Sequence, residues 1–189
     1  LNQANNNFLI KDLDLSKNFK INYFNLINLN FVNEHDKKNE IFLKKNEKNY
    51  LFTSEILDGS EFLNELLNGD GSEGISRLFN NLDTNIKIDI NKVFIDENDF
   101  LKSLKSNIKF TKNNIEKLDL SGNFADNKKL TLTIRTNKNN VKITTLYSEH
   151  AKPLVKKYKF IKGFEEGSLD FYSTKENNIS KSKLKINNF

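Results

Sequence analysis

The 189-residue chain contains no cysteine, no methionine and no tryptophan. It has one proline, Pro153, and two histidines, His35 and His150. Without cysteine there is no disulfide framework, no thiol nucleophile and no Cys-based zinc site. Two histidines leave little for a His-rich metal centre, and no cofactor is expected. Arginine is nearly absent: Arg77 and Arg135 stand against 28 lysines. No apolar run approaches the roughly 18 residues that a membrane helix needs. The chain opens with neither an initiator Met nor a signal-peptide pattern, which reads as an internal segment of a longer protein.

What is present is asparagine and lysine. The 32 asparagines fit a genome biased toward AAN codons and say little about function. The net charge of +5 and the pI near 9.1 raise the question of nucleic acid, since phosphate contacts come from Lys and Arg. The arrangement argues against it. Lysines alternate with Asp and Glu along the chain, no block of five or six like charges occurs, and the base-reading residue arginine is scarce. A weak attraction to anionic lipid surfaces, about 1 kcal/mol per well-placed Lys, stays compatible with this charge.

Hydrophobicity alternates with period two. Ile86, Ile88 and Ile90 form the clearest run; Leu118, Leu120 and Phe124 follow, then Leu130, Leu132 and Ile134. Val141 and Ile143 come after the turn-like NKNN at 137–140, and Leu169, Phe171, Leu184 and Ile186 close the chain. Each run has one apolar and one polar face, as antiparallel strands with one wetted face do. Short polar connections at 122–129, 137–140 and 174–182 read as hairpin loops. Further strands are expected near 7–15, 18–25, 26–32, 40–45 and 49–54.

Two segments break this period. SEFLNELLN at 60–68 carries Phe62, Leu63, Leu66 and Leu67 on one helical face. Asp58 and Glu61 stand at capping-box spacing and Gly69 can end the helix. EHAKPLVKKYKF at 149–160 places Ala151, Leu154, Val155 and Tyr158 together, with lysines near the C-terminus where the helix dipole favours cations. Pro153 must then lie in its first turn. A mobile loop is expected near 68–81, around Gly69, Gly71 and Gly74.

An internal repeat is visible. LDLSKNF at 13–19 recurs as LDLSGNF at 118–124, and each copy is followed by strands, a Ser-Glu pair (Ser54–Glu55, Ser148–Glu149) and a helix. Two strands-plus-helix units follow, 1–80 and 84–189, and stacking of such units suits an elongated architecture.

Residues that could carry chemistry are few. The acids of DEND at 96–99 and the pair Glu165–Glu166 read as solvated turns, with no proton acceptor recognisable beside them. NGDGSEG lacks the alternating ligands and terminal Glu of a calcium loop. No phosphate loop and no G-x-S-x-G elbow occurs. His35, between Glu34 and Asp36, and His150 at a helix start have no partner cluster. What remains is the apolar face itself, too broad for two short helices to cover. It can fold on itself into a sandwich, stack on another part of the protein, or curl into an open groove for lipid tails. Each acyl CH₂ removed from water contributes about 0.8 kcal/mol, so a tail offers on the order of 10 kcal/mol.

The stretches LDLSGNF, LTLTIRT, VKITTLYSEHAKPLVKKYKFIKGFEEGSLDFYSTKE and SKLKINNF resemble the AsmA-like family of Gram-negative envelope proteins, which includes the AsmA, TamB and YhdP groups. The pattern is a strand ending in Ser and acids, a short helix, a glycine before a strand, a hairpin and a terminal pair. Here it falls on Ser148, Glu149, Ala151, Leu154, Gly163, Gly167, Leu169, Leu184, Ile186 and Phe189. The region 84–189 carries the likeness; the family's usual final Asp is Asn188 here, and its Gly-rich hairpins are rich in Asn and Lys. The second unit reads as truncated at its C-terminus.

The resemblance implies a mainly β fold with two short helices, its antiparallel meander sheets curled into an elongated groove of two repeat units. It implies a non-enzymatic periplasmic protein, anchored in the inner membrane through a segment outside this chain, serving phospholipid transport or outer-membrane homeostasis. Its partners would be phospholipid acyl chains, the remainder of the same polypeptide and envelope proteins. The expected groove lining is Ile86, Ile88, Ile90, Leu118, Leu120, Phe124, Leu130, Leu132, Ile134, Val141, Ile143, Leu169, Phe171, Leu184 and Ile186. The alternative is a structural or assembly scaffold of the envelope working through protein contacts; an adhesin repeat ranks behind both, and an enzyme last.

Overall fold

The computed structural model describes residues 6–17, 21–33, 36–60, 83–111, 114–158, 166–177 and 179–188. The expected helix at 60–68 and loop at 68–81 lie almost wholly outside them, as do His35, Arg77, Gly163, Glu165 and Phe189.

The architecture is mainly β, with one short helix among the described residues. Among the described residues, eleven strands form a single open sheet. In chain order its strands are β1 (Asn7–Lys11), β4 (Leu26–Val32), β5 (Lys38–Asn46), β6 (Asn49–Asp58), β7 (Thr84–Phe94), β8 (Phe100–Thr111), β9 (Asn114–Phe124), β10 (Lys129–Thr136), β11 (Lys142–Ser148), β12 (Ser168–Glu176) and β13 (Ile179–Asn187), and their order in space is the same. Two short strands, β2 (Asp14–Leu15) and β3 (Ile21–Tyr23), pair as a separate ribbon. Every neighbouring pair in the large sheet is antiparallel except β6–β7, which runs parallel. A parallel pair needs a crossover rather than a hairpin, and residues 59–83 supply that connection.

The expected strand at 7–15 is divided by Asp12, whose φ of 52° turns the chain between β1 and β2. The expected strand at 26–32 matches β4, and those at 40–45 and 49–54 lengthen into β5 and β6. β8 was not expected. Its apolar positions, Leu101, Leu104, Ile108 and Phe110, lose strict alternation at Ser103, where φ is 50° and the pairing with β9 shifts register.

The helix α1 (Lys152–Tyr158) begins with Pro153 in its first turn, where the missing N–H costs nothing. It lies across the strand ends. The Ala151 N–H donates to Gly167 O (2.9 Å), and the Lys157 ammonium donates to Ile95 O (2.7 Å) in the β7–β8 connection. Ala151, Pro153, Leu154 and Val155 are buried. The acids at 96–99 serve this end as a turn. Asp96 Oδ1 accepts the N–H groups of Asn98 (2.8 Å) and Asp99 (2.7 Å), and its carboxylate faces Lys156 at 3.6 Å. Burial pushes the Asp96 pKa up, but these backbone donors and Lys156 outweigh it, so the group is held below the usual carboxylate range.

The two LDLS copies meet different fates. Leu118 and Leu120 are buried between β8 and β10, whereas Leu13, just before the separate ribbon, and Leu15, within it, are exposed. The two Ser-Glu landmarks do agree locally. Ser54 and Ser148 are both buried, and each hydroxyl donates to the carbonyl two residues on, Ile56 O at 3.0 Å and His150 O at 2.7 Å.

Candidate functional site

Directly paired residues of an antiparallel sheet share a face, so the register assembles the apolar face row by row. One row crosses all eleven strands: Ile10, Ile27, Leu43, Phe52, Ile88, Ser106, Leu120, Leu132, Leu146, Phe171 and Leu184. At about 4.8 Å per strand it extends about 48 Å. It carries no charge, and Ser106 is its one polar member. The Ser106 hydroxyl is buried and has no hydrogen-bond partner among the described residues.

Parallel rows flank it. On the α1 side stand Ile90, Leu104, Gly122, Leu130, Ser148, Leu169 and Ile186. On the other side stand Tyr50, Ile86, Ile108, Leu118, Ile134 and Thr144. Tyr50 donates its hydroxyl to Phe24 O at 3.3 Å, and burial pushes its pKa up. The central positions Ile86, Ile88, Ile90, Leu118, Leu120, Phe124, Leu130, Leu132, Ile134 and Leu169 are 0–3% exposed, so they face the protein's own interior. Toward the edges burial relaxes: Ile10, Leu29 and Ile41 on one side and Phe171, Leu184 and Ile186 on the other are only partly buried.

Two expected lining residues stand elsewhere. Ile143 pairs with Arg135 and Thr174, on the polar face, and Val141 precedes β11 altogether. The cause is the turn. Asn137 N–H donates to Val141 O, Asn140 adopts φ 59°, and the strand resumes with Thr136 opposite Lys142. That phase turns Thr144, Leu146 and Ser148 inward instead. Leu146, Leu101, Leu104 and Ile108 are face residues that the sequence reading missed. A leucine two positions before Ser148 was the available signal for Leu146.

The opposite face is polar. A shallow depression of about 460 Å³ over β4–β7 is lined by Asn28, Asn30, Glu40, Phe42, Glu55 and Asn91, among others. Two of its acids are engaged: Asn91 Nδ2 donates to Glu55 (2.6 Å) and Lys38 pairs with Glu40 (2.5 Å). Further along, Arg135 pairs with Asp119, and Lys109 with Glu116 at 2.7 Å. The Arg135 hydrogen bond holds the Asp119 carboxyl below its ordinary range, and Lys109 with Thr111 does the same for Glu116. His150 packs edge-on against Phe124, with its Nδ1 3.4 Å from Asp126. Among the described residues no group of three or more His, Asp or Glu is placed to hold a metal ion, and no helix is long and apolar enough to cross a membrane.

In comparisons with known proteins, the chain matches no family model, no curated protein and no solved structure.

Proposed function

We propose that this chain is a non-enzymatic, lipid-handling segment of an AsmA-like envelope protein, in which the apolar sheet face takes phospholipid acyl chains. In this reading the sheet is part of an elongated groove built from two related units. It works in the periplasm, tethered to the inner membrane through a segment outside this chain.

The observation that supports it is the charge-free row from Ile10 to Leu184. A tail moving perpendicular to the strands along this row meets apolar side chains at every step but one. It would be met first at the partly buried end, by Phe171, Leu184 and Ile186, and would displace what covers the central strands to go further. The burial gain of about 0.8 kcal/mol per CH₂ makes such displacement feasible for a long tail.

An assembly scaffold is the second reading. It is favoured by the two sheet edges, β1 and β13, which take no further strand among the described residues, and by the near-complete burial of the central face.

Native mass spectrometry with lipid extraction, on the chain purified from a bacterial envelope in mild detergent, separates them. Bound phospholipid that falls on Phe171→Ser and Leu184→Ser, with the far-ultraviolet circular dichroism unchanged, is the expected result. A folded chain carrying no phospholipid would favour the scaffold.

A further inference from the structure

We propose that the polar face of β11–β13 is a docking surface for an anionic lipid bilayer. This goes beyond acyl-chain binding and does not depend on it. Among the described residues β13 is an edge strand, paired only with β12. Its residues Lys181, Lys183 and Lys185 alternate with Ser182 and Leu184 and therefore point to one side, about 7 Å apart. The register puts them on the face opposite Leu184 and Ile186, across from Thr174, Tyr172 and Asp170. All three are exposed.

Two aromatic side chains share that face. Tyr172 lies directly opposite Lys183, and Tyr147 lies in the row of Asp170 and Lys185. They are 46% and 39% exposed, and Ile179 at the hairpin tip is 66% exposed. Among the described residues of these three strands, the acids on this face are Asp170, which accepts Asn187 Nδ2 at 3.0 Å, and Glu176 at the hairpin end.

Lysines that reach outward, tyrosines with an apolar body and a polar tip, and a protruding isoleucine are the composition that the headgroup boundary of a membrane selects. Nucleic acid fits less well, because the arginine nearest this surface among the described residues, Arg135 on the neighbouring β10, is held by Asp119 and by the carbonyls of Leu118 and Ile134 rather than presented for phosphate clamping or base stacking. The competing account of the lysines is that they only guard an open edge against pairing with another chain.

The test is co-sedimentation of the 189-residue chain with vesicles. Vesicles of phosphatidylcholine containing about one-third phosphatidylglycerol should bind it, and pure phosphatidylcholine vesicles should not. Replacing the three lysines together (Lys181→Gln, Lys183→Gln, Lys185→Gln) should weaken partitioning about 100-fold, at roughly 1 kcal/mol per lysine. Raising salt from about 0.1 M to about 0.5 M should release the parent chain. A charge-matched variant serves as control: Lys38→Gln, Lys117→Gln and Lys128→Gln, each removing a lysine that faces an acid. It should bind nearly as the parent does.

Equal loss in both triple variants would overturn the proposal, since net charge alone would then explain the attraction. So would unchanged vesicle binding in the β13 variant accompanied by self-association, which would leave the lysines as edge guards. Binding to heparin or an oligonucleotide with none to the vesicles would also overturn it.

Discussion

Gly167→Ala tests how the edge of the sheet is held. Gly167 sits just before β12 with φ +88°, a backbone conformation that an L residue adopts at a cost of about 1–2 kcal/mol. A Cβ built there would lie 2.1 Å from Asn187 O and 2.8 Å from Asn188 O. Both obstacles are backbone, so neither yields by a rotamer change. Relief must separate the first pair of the last hairpin, Ser168 with Asn187, or swing the Gly167 carbonyl away from the Ala151 N–H that anchors α1. One lost backbone hydrogen bond adds about 1 kcal/mol, for a total of about 2–3 kcal/mol. Gly122→Ala is the contrast. Its nearest neighbours, Leu101 and the Leu104 Cα, would stand 3.5–3.6 Å from the new methyl, an ordinary contact. That substitution should be neutral or stabilise by about 0.5–1 kcal/mol, because glycine weakens a strand interior. Urea unfolding followed by circular dichroism measures both, and hydrogen exchange should show β13 amides opening first in Gly167→Ala. A Gly167→Ala stability within about 0.5 kcal/mol of the parent, or a Gly122→Ala cost that exceeds it, would refute this account of the edge.

Three other outcomes follow from the geometry. Ser106→Val removes a buried hydroxyl without a partner among the described residues and should raise stability by about 1 kcal/mol in urea titrations; a loss would mean that the hydroxyl is satisfied in solution. Leu146→Ala should cost about 2–4 kcal/mol while Ile143→Ala costs less than about 1, and the reverse ranking would show that β11 has the opposite phase. Asp119 and Glu116 have folded-state pKa values lowered by Arg135 and by Lys109 with Thr111. A depressed carboxylate contributes stability above its unfolded pKa, near 4, and loses it as pH falls through the folded value. Acid unfolding should therefore start below about pH 4 and move to higher pH in Arg135→Gln with Lys109→Gln; carboxyl resonances titrating at ordinary values in the parent would contradict the pairing.

The sheet was legible where alternation is strict. Ile86–Ile90, Leu118–Leu120 and Leu130–Ile134 each show period two in sequence and bury the expected side chains. Reading failed where the backbone departs from the pleat. Ser103 at positive φ hides β8, and Asn140 at positive φ reverses the face of β11. Asn and Asp tolerate that conformation, so a chain this rich in Asn offers many such positions and no sequence rule to choose among them. The parallel β6–β7 pair was invisible for another reason. Local alternation says which face a strand buries, not which neighbour it takes or in which direction.

The long apolar row survives the largest irregularity in the sheet because of where that irregularity falls. β6, β7 and β8 each place two consecutive residues outward at the same level: Glu55–Ile56, Asn91–Lys92 and Lys102–Ser103. Pairing between β6 and β7 and between β7 and β8 keeps one register on both sides of that line, so a change of phase in one strand requires it in its neighbours. The series ends at β9, where the extra residue of β8 at Ser103–Leu104 is absorbed opposite Gly122, beside Leu101 and Leu104. All of this lies on the α1 side of Phe52, Ile88, Ser106 and Leu120. Those four stay in regular pleat, and the row through them reaches both edges without a charged side chain. The second register shift between β8 and β9, at Lys109–Phe110, falls on the opposite side of Ser106 and Leu120. Irregularities on both sides therefore leave the central row in phase, because a one-residue slip within it would turn its buried side chains to the polar face.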